Sequence, residues 1–167
     1  MKNIVLVGMM SSGKSTLGKK LARALNYKFV DLDKLIEKDQ QTDIPSLFRQ
    51  KGETYFRETE SRILKEIMPE SKIVLASGGG TPCFYDNMDY IRSLGISIFL
   101  DVPAADLVKR IENHGKDDRP VLSGAASLED ALTSKLQERL PYYSQADLTL
   151  KGEIDVSYLL EVLKPLL

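Results

Sequence analysis

Gly8-Met9-Met10-Ser11-Ser12-Gly13-Lys14-Ser15 satisfies every defined position of the phosphate-binding pattern G-x-x-x-x-G-K-[ST]. Its glycines let a loop bend so that successive backbone N–H groups converge on a phosphate, and a helix starting there adds the positive end of its dipole. Lys14 would bring a mobile charge to the β- and γ-phosphates of a nucleoside triphosphate, and Ser15 a hydroxyl to Mg²⁺. The same string can also be a Gly/Ser turn carrying a surface lysine. Its setting argues for the first reading. The apolar run Ile4-Val5-Leu6-Val7 precedes it, and Leu17, Leu21, Ala24 and Leu25 follow at helical spacing.

Other charged residues stand where ligands are met in such folds. Asp31-Leu32-Asp33 ends an apolar stretch, and in an extended segment both carboxylates lie on one side. At the carboxyl end of a strand that side faces the crevice where ligands bind. Asp33 could instead be the N-cap of a helix starting at Lys34. Beside a phosphate loop, Mg²⁺ organisation by Asp31 and hydroxyl binding or base work by Asp33 are favoured. In Phe56-Arg57-Glu58-Thr59-Glu60, Glu60 falls mid-way across the apolar face formed by Phe56, Ile63, Leu64 and Ile67. A carboxylate there needs a partner, and Arg57 is within reach. The pair is either a structural ion pair or a device in which Glu60 holds Arg57 ready to fork onto an anionic substrate.

Ser77-Gly78-Gly79-Gly80 removes three side chains in a row, either for a flexible turn or so that something can approach the backbone closely. Arg139, Pro141 and Tyr143 close a later helix, where an arginine by itself commonly complements the dipole. The stretch His114-Gly115-Lys116-Asp117-Asp118-Arg119-Pro120 through Ser123-Gly124 is polar and lies between two good helices. A loop of about a dozen residues in a small domain is either a solvated connector or a lid; as a lid it would carry Arg119 to the transferring phosphate.

The elements that must position these residues alternate. Strands are expected at Ile4 to Val7, Phe29 to Asp31, Ile73 to Ala76, Ile96 to Leu100 and Leu148 to Leu150. Helices are expected near 14–25, 34–40, 44–51, 53–67, 85–94, 104–113, 128–142 and 156–164, with Ser127 to Asp130 resembling a capping box. Val/Ile/Leu-rich runs without polar alternation suit a parallel sheet covered on both faces. No internal repeat, low-complexity tract or linker is visible, so residues 1–167 are expected to form a single three-layer α/β/α domain.

Composition sets wider limits. A chain of 167 residues with 43% hydrophobic content suits one domain that buries roughly two-thirds of its unfolded surface without disulfide or metal staples. A net charge of −1 gives no general attraction to nucleic acid or an anionic membrane. Cys83 is the one cysteine, which excludes an internal disulfide and suits a reducing compartment. Met1-Lys2 and the apolar run superficially imitate a signal peptide, but that run is short and cleavage after it would destroy the phosphate loop. No run approaches the ~20 apolar residues of a membrane span. A soluble, cytoplasmic, monomeric protein is the expectation.

Taken in order, these residues resemble the shikimate kinases, and the resemblance covers essentially the whole chain. The family shows a phosphate loop at the start, a D-x-D after the second strand, F-R-x-x-E, a glycine triplet, R-P-[LV]-L in a lid and R-x-x-x-Y near the end. Here these are Asp31 and Asp33, Phe56-Arg57 with Glu60, Gly78 to Gly80, Arg119-Pro120-Val121-Leu122, and Arg139 with Tyr143. The resemblance implies a P-loop kinase fold with a five-stranded parallel sheet of order 2-3-1-4-5, a substrate-binding region near 32–62 and a mobile lid near 113–126.

It also implies ATP-dependent phosphorylation of the 3-hydroxyl of shikimate, with Mg²⁺ as cofactor. Ser11, Ser12, Gly13, Lys14, Ser15, Thr16 and Arg119 would bind ATP. Asp33, Arg57, Gly79 and Arg139 would bind shikimate, with Glu60, Gly78 and Gly80 in support. Lys14, Asp33 and Arg119 would be catalytic, and Ser15 with Asp31 would organise Mg²⁺. Asp101 could pass for a magnesium-binding carboxylate after its apolar run, but the resemblance gives that role to Asp31. Cys83 reads as an ordinary thiol and His114 as a lid surface residue.

The chain departs from the family at several positions. Ser11 replaces a usual glycine, which restricts φ and is expected to displace the loop slightly. Asp118 stands where a basic residue is common, and Ser77 where threonine is frequent. Another P-loop kinase, acting on gluconate or a nucleoside monophosphate, is the alternative; a nucleotide switch is disfavoured because no N-K-x-D motif is present.

Overall fold

In the computed structural model, which describes residues 1–113 and 127–167, the strand ahead of the glycine loop, β1 (Asn3–Val7), is buried at every residue. Side chains of a strand alternate between its faces, so Ile4 and Leu6 enter one apolar cluster while Val5 and Val7 enter another. A strand packed on both faces has no position for a polar alternation, which is why it reads as one apolar run. β3 (Ile73–Ala76) is equally buried and pairs with β1 on one side, and β4 (Gly95–Asp101) pairs with it on the other. The partly exposed β2 (Lys28–Asp31) and β5 (Leu148–Lys151) form the edges. Among the described residues the sheet is parallel throughout, in the expected order β2-β3-β1-β4-β5.

One face is covered by α1 (Lys14–Leu25) and α7 (Val156–Leu163), which bury Leu17, Leu21, Leu159 and Leu163 against it. The other is covered by α2 (Leu32–Gln40), α3 (Ile44–Lys65), α4 (Asn87–Leu94), α5 (Ala104–Asn113) and α6 (Leu128–Tyr143), through Ile36, Leu64, Ile91, Leu107 and Tyr143. Burial contributes roughly 1.5–3 kcal/mol per large aliphatic side chain, so these two clusters are what hold the layers together.

Several element boundaries differ from expectation, for local reasons. Asp31, not Asp33, is the N-cap of α2: its Oδ1 accepts from the backbone N–H of Asp33 at 3.0 Å and of Lys34 at 3.5 Å. The helix therefore begins at Leu32, and Asp33 sits in its first turn instead of on an extended segment. The helices expected at 44–51 and 53–67 are two arms of α3, joined at Gly52, whose φ of 83° bends the chain where another side chain would be strained. Helix 85–94 shortens to α4, preceded by a 3₁₀ turn over Thr81–Cys83. Ser127 caps α6 as expected, accepting from Asp130 N–H at 3.0 Å.

The expected lid at 113–126, apart from Asn113 at the end of α5, lies outside the described residues, and with it His114, Asp118, Arg119 to Leu122, Ser123 and Gly124. No described helix is long and apolar enough to cross a membrane.

The tightest backbone approach is at the start of β4. A Cβ on Gly95 would lie 2.1 Å from the carbonyl oxygen of Asn3, its register partner on β1. Gly95→Ala must push β4 off the central strand, and an overpacking cost of about 3 kcal/mol is expected to lower Tm by roughly 6 °C or more in thermal unfolding. An unchanged Tm would mean that the two strands separate there without loss.

Candidate active site

The carboxyl ends of β1, β2 and β3 open into one cavity of about 1130 Å³. At its floor the chain leaves β1 through Gly8, where a Cβ would meet the Leu100 carbonyl at 2.9 Å, so the loop lies flat against the end of β4. It enters α1 through Gly13, and among the described residues no side chain caps that helix, which leaves its first amides to a ligand. Lys14 reaches back over its own loop, donating to the carbonyls of Gly8 and Met9 at 2.8 Å each. Ser11 meets the restriction on φ expected of a side chain by adopting the left-handed region itself, at φ 61°. For a serine that costs about 1 kcal/mol.

The residues expected to organise Mg²⁺ come from different strand ends and meet: Ser15 Oγ donates to Asp31 Oδ2 at 3.4 Å. Among the described residues there is no cluster of three or more acidic, cysteine or histidine ligands. One hydroxyl and one carboxylate beside a phosphate loop suit Mg²⁺, which keeps much of its water and shares phosphate oxygens. Asp101 is not in the cavity wall; its carboxylate lies 3.7 Å from Lys151 Nζ.

Asp33 lines the same cavity from the first turn of α2. Burial, then the charges of Asp31 and Glu60, push its pKa up to about 6 against the pull of Lys14. Behind it, Arg57 and Glu60 of α3 form a buried pair, with Arg57 Nη1 donating to Glu60 Oε1 at 3.0 Å. Glu60 is 1% exposed, and a carboxylate so buried is tolerable only with its oxygens engaged. Its Oε2 accepts from Thr81 Oγ1 at 2.7 Å. The Arg57 guanidinium also packs on the Phe84 ring, 4.2 Å from its centroid.

Geometry accounts for the glycine triplet. A Cβ on Gly80 would lie 2.6–2.8 Å from three atoms of the Arg57 guanidinium, and one on Gly79 would lie 2.9 Å from Arg139 Nη1. On Gly78 it would meet Glu60 Oε2 at 3.0 Å and Asp33 Oδ1 at 3.2 Å. The triplet is thus the surface against which two arginines and two carboxylates pack. Arg139 is 6% exposed, not the solvated helix-end residue that its position alone suggests. Its Nη1 lies 3.7 Å from Met9 Sδ, and Tyr143 donates its hydroxyl to the Gly79 carbonyl. Burial pushes the Tyr143 phenol far above its usual range, so it stays a donor. Burial likewise raises Cys83 to about 11, so its thiol is protonated near neutral pH.

Some wall residues carried no sequence signal. Arg110, on α5, donates to the Ser11 carbonyl at 3.2 Å and lines the loop side of the cavity. Ile44, Pro45 and Phe48, on the first arm of α3, supply an apolar wall on the acceptor side. None belongs to a motif; the fold alone brings them in.

Comparison with known proteins agrees with this geometry. A family model described as shikimate kinase matches residues 10–161. A shikimate kinase of Phocaeicola vulgatus is 41% identical over 155 residues, covering 92% of this chain and 88% of the relative. The solved structure of a shikimate kinase from Acinetobacter baumannii in complex with shikimate superposes with a TM-score of 0.88 at 31% identity, covering 99% of this chain and 94% of that one. The crystal structure of a shikimate kinase from Bacteroides thetaiotaomicron gives a TM-score of 0.88 at 37% identity, with 98% of each chain covered.

The elevated pKa of Asp33 has consequences of definite sign. Since the folded value lies above the unfolded one, the contribution of Asp33 to stability is present below about pH 4 and lost as the pH rises through about 6. Asp33→Asn is therefore expected to raise Tm at pH 8 by roughly 3 °C, as followed by thermal unfolding. In the wild type, kcat/KM for the acceptor should fall as the pH drops through about 6, if ionised Asp33 serves the acceptor. A flat profile between pH 5 and 8 would remove Asp33 from that role.

Proposed function

Because the chain belongs to the shikimate kinase family, we propose that it transfers the γ-phosphoryl group of ATP to the 3-hydroxyl of shikimate, yielding shikimate 3-phosphate and ADP. The observation that carries this reading is the pair of buried guanidiniums, Arg57 and Arg139, set against adjacent glycines in the same cavity as the phosphate loop. Two converging guanidiniums suit a carboxylate. The apolar wall of Ile44, Pro45 and Phe48 suits a small ring, and Asp33 with the backbone of Gly79 suits its hydroxyls.

In this reading the roles divide by charge. Arg57 and Arg139 hold the carboxylate of shikimate, which fixes where its hydroxyls lie. Asp33 accepts a hydrogen bond from the attacking hydroxyl. With a pKa of about 6 it is ionised at neutral pH and able to take the proton as the new P–O bond forms and the bond to the β-phosphate oxygen breaks. Lys14 and Arg119 neutralise charge on the phosphates, and the amides from Ser11 to Thr16 cradle them. Ser15, and Asp31 through water, would hold Mg²⁺, which would supply further charge neutralisation. Residues 1–167 act as one catalytic unit, and one copy of the chain supplies every residue that the reading needs.

The test is ADP release by purified protein with ATP and Mg²⁺, with shikimate, gluconate or AMP as acceptor. Stimulation by shikimate alone is expected; stimulation by another acceptor would overturn the substrate assignment. Arg139→Ala is expected to raise KM for shikimate by about tenfold or more while KM for ATP changes less than about twofold. Lys14→Ala should lower kcat by about 10²-fold or more.

A further inference from the structure

Thr81 is the first residue after the glycine triplet, and no family motif includes it. It is fully buried, and each of its polar groups is engaged. Its N–H donates to the Gly78 carbonyl at 3.2 Å, and its carbonyl accepts from Asn87 Nδ2 at 2.9 Å. Asn87 is anchored in turn by Ser61, whose Oγ donates to Asn87 Oδ1 at 2.7 Å. The backbone of Thr81 is therefore clamped between the triplet and α4, and a β-branched side chain on a clamped backbone has little freedom at χ1. Its hydroxyl points at Glu60 Oε2, 2.7 Å away.

We propose that Thr81 is a positioning residue for the acceptor's carboxylate: by occupying Glu60 Oε2, it limits Glu60 to one bond with Arg57 and leaves the rest of that guanidinium for substrate. The proposal rests on the assignment of Arg57 as a carboxylate ligand. Carboxylates prefer to take guanidiniums two-pronged. Glu60 does not, because Oε1 accepts from Arg57 Nη1 while Oε2 is held by Thr81. Among the described residues no hydrogen bond engages Arg57 Nη2. Without the Thr81 hydroxyl, Oε2 would be a buried charged oxygen deprived of its donor, on a carboxylate that Arg57 already serves at Oε1. Glu60 would then draw both prongs of Arg57 to itself, at the expense of the substrate.

Thr81→Val keeps the shape and removes the hydroxyl. The expected result is a rise of about tenfold in KM for shikimate, with kcat and KM for ATP within about twofold of wild type, and recovery of KM in Thr81→Ser. Should Thr81→Val fail to fold, Thr81→Ala compared with Thr81→Ser reads the same hydroxyl. An unchanged KM for shikimate in a folded variant lacking the hydroxyl would overturn the proposal. So would an equal rise in KM for ATP, since that would mark general loosening. A wild-type protein that shikimate does not stimulate would instead overturn the proposed function itself.

Discussion

Two guanidiniums buried in one wall of a cavity dictate much of what surrounds them. A buried charge is tolerated only when it is paired or hydrogen-bonded, and Arg57 is met by Glu60, by the face of Phe84 and by the edge of Glu53. Arg139 is met by the sulfur of Met9 and by the backbone beside Gly79. Neither contact set can form unless the chain between β3 and α4 has no side chains where the arginines pass. The glycine triplet is the cost of bringing two planar cations that close to a main chain.

The sheet explains why these groups share a cavity with the phosphate loop. β1 is the central strand, flanked by β3 and β4, so its carboxyl end is where successive connections leave in opposite directions. Ligands bind at such points in open parallel sheets because the departing loops leave a crevice. The phosphate loop leaves β1 there, Asp31 ends β2, and the triplet follows β3. α3 contributes twice because Gly52 bends it: its first arm supplies the apolar wall with Phe48, and its second the Arg57–Glu60 pair.

Asp31, Asp33 and Glu60, all in the cavity wall, are separated by environment rather than by type. Asp31 spends one oxygen on the amides of α2 and the other on Ser15, so it is held between the first turns of α1 and α2. Glu60 is enclosed and fully engaged, which makes it an anchor and not a reagent. Asp33 is raised by burial and then by the charges of both, against the pull of Lys14. That crowding makes its ionisation unfavourable to the fold near neutrality.

The phosphate loop and the parallel sheet were legible from residue order alone, because loop chemistry and the packing of a doubly covered strand are local: glycines, Lys14 and Ser15 at set spacing, and apolar runs without alternation. The Arg57–Glu60 pair was legible for the same reason, being one helical turn apart on an apolar face. Arg139 was legible only through the family resemblance, since a helix-end arginine is ordinarily solvated and only the approach of α6 to Gly79 and Met9 buries it. Arg110 and Thr81 gave no signal, because each acts on a partner far away in the chain. The N-cap of α2 went to Asp31 and not Asp33 because the chain turns helical directly at the end of β2. Local spacing thus determined the class of chemistry, while the side chains that shape the acceptor site were decided by packing between elements, which no short window of sequence contains.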